Sequence, residues 1–192
     1  DTPVAEESMM GVCTGAAMNG MRPVFMHNRP DFILLAFNQL VTHASKVHFM
    51  DNGQTNVPMV VWAAIGRGWG SGAQHSQAIQ GLLLGVPGLK IVMPSTPADA
   101  KGLLLSAIAD NNPVLVFEHR WLMKKDGVVP EGHYRVPLGQ GVVRRRGTDL
   151  TVVGASHAIE LACQAANRLA KDGIEAEVID LRSVKPMDEA II

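Results

Sequence analysis

Glu6 and Glu7 follow the stretch DTPVA and open a run of small residues, while His75 sits in GSGAQHSQ (70–77), behind glycines at 66, 68, 70 and 72. Carboxyl and imidazole groups are the side chains that carry protons in catalysis. Two acids in the first turn of a helix are favoured by its positive end and need be no more than solvated. A carboxyl that faces an apolar pocket instead has its pKa raised by desolvation and becomes a proton donor or relay near neutral pH. His75 also has two readings. It is either a half-buried residue that caps the loop or, at the tip of a strand-to-helix connection where α/β sheets take ligands, a group suited to acid–base work.

Shorter patterns give weaker signals. Gly68-Trp69-Gly70-Ser71-Gly72-Ala73 formally matches G-x-G-x-x-A, but Lys90 stands where a dinucleotide site needs an acid, and no Lys-Ser/Thr pair makes a phosphate loop. His75 and Ser76 are adjacent, so on a helix they point in different directions, and no G-x-S-x-G elbow exists in the chain. Asp31, Asp51, Asp99, Asp110 and Glu118 lack metal-ligand spacing. Trp62 and Trp69 read as packing, and Met9, Met10, Met18, Met21 and Met26 as core filling.

These residues must be positioned by a buried scaffold. The chain has 192 residues, 47% hydrophobic and 18% charged, with a formal net charge of −1, as suits a globular core and not a nucleic-acid or anionic-membrane binder. The triplet Arg144-Arg145-Arg146 beside Gly147 reads as a solvated turn. Cys13 and Cys163 form no redox or zinc pair, which points to a reducing compartment, the cytoplasm or an organelle matrix. The chain opens without an initiator Met and stops at DEAII, and it reads as a segment of a longer protein.

Continuous apolar runs at 22–28, 57–65, 89–95, 112–119, 149–156 and 176–183 predict strands buried on both faces of a mainly parallel sheet. Between them the pattern predicts helices over 7–19, closed by Gly20, over 31–50, from an N-cap at Thr96 to about Asp110, and from Ser156 to Gly173. His75 is expected to open another. Strands alternating with helices mean an α/β fold. The polar, proline-bearing stretch 124–149 reads as a connection between units, giving a first domain over 1–136, a linker over 137–148 and the start of a second domain over 149–192.

The stretches DTPVAE, GAAMNGMRPV, GAQHSQ, PGLKIVMPSTPADAKGLLLSAIADNNPVLVFE, VPLGQGVVRRRGTDLTVV and EVIDLRSVKPMD span nearly the whole chain. Together, and in this order, they resemble the beta subunit of thiamin-diphosphate-dependent 2-oxo acid dehydrogenases, the E1 component of the pyruvate and branched-chain complexes. The resemblance implies a transketolase-like pyrimidine-binding domain and the opening of a C-terminal domain. It implies thiamin diphosphate as cofactor, Glu6 as the glutamate that hydrogen-bonds its aminopyrimidine ring, and Phe32 as the aromatic residue against that ring. It makes His75 the histidine at the substrate end, concerned with acyl transfer to a lipoyl group. The carbonyls of Ala107, Asp110 and Asn112 match a monovalent-cation (K+) site. Mg2+ and the diphosphate fall to an E1 alpha-type partner in an alpha2beta2 assembly, with a lipoyl-bearing acyltransferase downstream.

The segment Met26-His27-Asn28-Arg29-Pro30-Asp31 departs from the family pattern, in which an acid is followed by an aromatic residue. This departure gives His27 two readings, a substrate-side contact for an acidic or polar group or a surface histidine on a rearranged loop, and leaves the 2-oxo acid open. A transketolase-like carboligase acting on sugars, and a non-catalytic assembly subunit, are the competing expectations.

Overall fold

The structure is a computed structural model that describes residues 2–192. A five-stranded sheet runs in the order β1 (Val24–His27), β2 (Val60–Ile65), β4 (Val114–His119), β3 (Lys90–Val92), β8 (Ser183–Lys185). The first four strands are mutually parallel, and β8 lies antiparallel on β3. Alternation along β2 and β4 explains the continuous apolar runs, because each strand serves two cores. Val61, Ala63, Ile65, Leu115 and Phe117 meet α1 (Glu6–Met18) and residues 30–44, whereas Val60, Val114 and Val116 meet Leu103 and Ala107 of α4 (Pro97–Ala109). The edge strand β1 departs from the expectation of full burial. Val24 and Met26 are exposed while His27 turns inward, since among the described residues no further strand pairs with that edge.

Helix α4 begins as its sequence predicts: Thr96 caps it, its Oγ1 accepting from the Asp99 N–H at 3.1 Å, and Pro97 takes the first turn. Residues 31–50 do not form the continuous α-helix expected. A 3-10 turn, Pro30–Ala36, leads into a π-helical segment, Asn38–Ala44, and then a short α2, Val47–Met50. Ile33 and Ala36 are three residues apart and suit the tight turn, whereas Leu40 and Ala44, four apart, share the core-facing side of the segment that follows, a spacing that an α-helix serves equally well.

In the second unit, β5 (Val142–Arg145), β7 (Ala176–Asp180) and β6 (Leu150–Gly154) form a sheet under α5 (His157–Leu169), with β6 and β7 parallel and β5 antiparallel. Strand β5 lies inside the stretch read as a linker, where the polar pattern of VVRRR hid it. The arginine triplet is correspondingly not a solvated turn. Arg144 ion-pairs with Asp180 at 2.8 Å and with Asp99 at the start of α4, and Arg182 reaches Asp99 at 3.3 Å, so buried charges join the two units. The pairing holds the Arg144 guanidinium charged against the desolvation of its partly buried position.

Candidate active site

A cavity of about 700 Å³ opens at the carboxyl ends of β1, β2 and β4, the end at which parallel sheets bind ligands. Glu6, His27, Phe32, Trp62, His75 and Arg120 all line it. Four of the residues singled out from the sequence, Glu6, His27, Phe32 and His75, therefore meet although they lie on separate segments.

Glu6 and Glu7 part company in the first turn of α1. The Glu7 carboxylate accepts from Asn38 Nδ2 at 2.9 Å, which leaves Glu6 as the cavity-side acid. His27, the last residue of β1, is 5% exposed, with Phe25 edge-on at 4.4 Å between ring centroids. Burial holds its imidazole down at about 4 from an ordinary 6.5, against the opposing pull of Glu6, so it is neutral at physiological pH. Its Nε2 has no hydrogen-bond partner among the described residues. An unpaired buried polar atom on a cavity wall is one that a ligand is able to satisfy.

Phe32 and His75 stand edge to face. His75 does not open a helix: it closes a single 3-10 turn, Ala73–His75, and α3 begins only at Gln80. Ser76 is occupied in staying that turn, its Oγ donating to the Gly72 carbonyl at 2.8 Å, which suits a structural role and not a nucleophile. All four glycines of the loop take positive φ, and at Gly66 close approach adds to the need for glycine. Gly66 has φ of 120°, and a Cβ there would come within 2.9 Å of His119 and 3.0 Å of Trp69. Asp31, buried beside Phe32, accepts from the Gln77 N–H at 3.4 Å and so ties this loop to the turn after β1; its Oδ2 is unpartnered among the described residues.

Composition and spacing did not single out Asp31, Arg120 or the true surroundings of the tryptophans. Trp62 lines the cavity, and Trp69 carries two guanidinium groups over its ring, Arg29 at 5.1 Å and Arg120 at 4.7 Å. Arg120 had one available signal: a charged residue immediately after a strand, at the carboxyl end of a parallel sheet.

Ala107, Asp110 and Asn112 lie at the opposite end of the sheet, before β4 begins. There Arg22 donates to the carbonyls of Ile108 and Asp110, both at 2.8 Å, and Lys90 pairs with the Asp110 carboxylate. The positive charge at the Asp110 carbonyl is thus supplied by the chain itself. No group of three or more metal-binding side chains occurs among the described residues.

Residues 1–125 match the family model for the transketolase pyrimidine-binding domain, and residues 139–192 that for the transketolase C-terminal domain. The chain belongs to the transketolase family. Among its relatives, the 2-oxoisovalerate dehydrogenase subunit beta of Bacillus subtilis is 47% identical, covering 100% of this chain and 59% of that protein. The acetoin:2,6-dichlorophenolindophenol oxidoreductase subunit beta of the same organism is 43% identical, covering 100% and 56%. A solved structure described as a split-gene transketolase, an inactive beta4 tetramer, superposes with a TM-score of 0.82 at 23% identity over 100% of this chain and 59% of its own, a likeness of fold. This transketolase-family chain thus spans under three fifths of the length of the relatives it matches. No helix of the described residues is long and apolar enough to cross a membrane.

Proposed function

We propose that this chain is the beta component of a thiamin-diphosphate-dependent 2-oxo acid dehydrogenase that decarboxylates its substrate and passes the acyl group to a lipoyl carrier. The observation that carries the reading is the meeting of Glu6, Phe32 and His75 in one cavity, in a chain whose relatives include the beta subunit of a 2-oxoisovalerate dehydrogenase.

The residues present fit an aminopyrimidine. Glu6 offers a carboxyl to a ring nitrogen and Phe32 an aromatic face. When bound, thiamin diphosphate supplies the carbon nucleophile and electron sink that decarboxylation needs. In this reading Glu6 holds and returns a proton at its carboxyl oxygen. Phe32 fixes the ring plane and the His75 imidazole at once, and His75 exchanges a proton at the substrate side. In this reading Mg2+ and the diphosphate are held by an alpha-type chain in an alpha2beta2 assembly.

The test is turnover by the whole protein that carries this chain, coexpressed with its alpha-type partner, on a panel of 2-oxo acids with an artificial electron acceptor. Cofactor-dependent decarboxylation that Glu6→Gln abolishes is the expected result. Cofactor binding without turnover of any 2-oxo acid would overturn the reading in favour of carboligation on sugars.

A further inference from the structure

We propose that the polar wall made by His27, Arg29 and Arg120 selects a 2-oxo acid whose tail ends in an anionic group, a carboxylate or a phosphate, over one with an aliphatic tail. The proposal rests on the function proposed above and names its substrate class.

Two guanidinium groups are held near each other with little to neutralise them. Arg29 and Arg120 both line the cavity and both lie over the Trp69 ring, at 5.1 and 4.7 Å. Neither takes part in an ion pair among the described residues. Desolvation, and after it repulsion from the charge of Arg120, lower the affinity of Arg29 for its proton, while Asp31 pulls the other way. An anion between or beside the two arginines would relieve that repulsion, and a guanidinium matches carboxylate and phosphate oxygens with paired donors. The shared contact with Trp69 restricts both side chains before ligand arrives, so less ordering remains for binding to supply.

The neighbouring wall is polar as well. His27 presents a neutral imidazole whose buried Nε2 is unpaired, and Asn28 follows it on the same cavity wall. A purely aliphatic tail would leave these groups desolvated and unmatched, which sites built to hydrogen-bond a substrate penalise strongly.

The experiment measures kcat/KM of the whole protein with its alpha-type partner and thiamin diphosphate on three acids of similar length. These are 2-oxoglutarate, 2-oxo-4-phosphonobutyrate and 2-oxo-5-methylhexanoate. Preference for either anionic acid supports the proposal, and the better of the two identifies carboxylate or phosphate as the natural tail. Arg120→Gln and Arg29→Gln are each expected to raise KM for the preferred anionic acid by about 5- to 150-fold and to collapse its advantage over the aliphatic one. Rescue of that advantage in Arg120→Lys separates charge recognition from a structural role, which would lower turnover of all three acids alike. Preference for the aliphatic acid overturns the proposal while leaving the dehydrogenase reading intact. No turnover of any of the three, nor of pyruvate and 2-oxoisovalerate, overturns both.

Discussion

Phe32 and His75 meet edge to face, their ring centroids 5.3 Å apart and their planes at 74°. The contact joins the turn after β1 to the glycine loop after β2, and the Asp31–Gln77 hydrogen bond ties the same two segments. His75 sits in a single 3-10 turn and has no long helix to orient it, so its aim depends on Phe32. His75→Ala is expected to slow acyl transfer more than decarboxylation when the two half-reactions are timed separately. Phe32→Leu, which keeps bulk but loses the aromatic edge, should slow the His75-dependent step roughly twofold to tenfold, the equivalent of one aromatic pair. Equal losses in both half-reactions for His75→Ala would remove its role in transfer.

Glu6 and Glu7 provide an internal control for the acid's role. Both occupy the first turn of α1, where each carboxylate stabilises the helix by about 0.3–1 kcal/mol, so neither change to glutamine should move the melting temperature much. Only Glu6 lines the cavity, because Glu7 is bonded to Asn38. Glu6→Gln should reduce cofactor-dependent turnover by about 10²–10⁴-fold, the range of a positioned proton-transfer group. Glu7→Gln should stay near wild type; a comparable loss in both variants would count against a specific role for Glu6.

The layered α/β fold was legible because the strands of its centre are apolar on both faces and α4 carries a capping Thr96 and a Pro97. Residues whose environment comes from other segments were harder to read. Arg144 looked like one of three exposed arginines, yet its partners Asp99 and Asp180 come from different units. The π-helical stretch Asn38–Ala44 was not legible, because its buried residues Leu40 and Ala44 keep the four-residue spacing of an ordinary α-helix. Within the site, Glu6, Phe32 and His75 were visible through the motifs around them. Arg29 and Arg120 gained meaning only when folding brought both over Trp69.

Arg144 tests how tightly the two units are joined. Its removal leaves Asp180, which is fully buried, and Asp99 with less positive charge beside them. Arg144→Met is expected to lower unfolding stability by about 3 kcal/mol, the low end for breaking a buried pair, because Arg182 still serves Asp99 and Ser95 still donates to Asp180. Adding Asp180→Asn should recover part of the loss, since the uncompensated charge is then gone. Denaturant titration of both variants checks this; a further loss in the double variant would mean that Arg144 acts through packing.

His27 predicts how the protein responds to acid. Its pKa is about 4 when folded and near 6.5 otherwise, so between those values the unfolded chain binds a proton that the folded chain refuses. Stability therefore falls as pH drops from about 6.5 to about 4, and the contribution is constant outside that window. A gap of that size corresponds to about 3 kcal/mol when fully developed. His119, lowered by burial and by the neighbouring His157, acts in the same direction, whereas Glu118, raised by burial, acts in the opposite one. Both remain in His27→Phe, so the comparison with wild type isolates His27. Denaturant midpoints at pH 7.5 and pH 4.5 should show the wild type losing about 2–3 kcal/mol more than the variant over that interval. Parallel losses would mean that the imidazole accepts its proton as readily in the folded protein as in the unfolded chain.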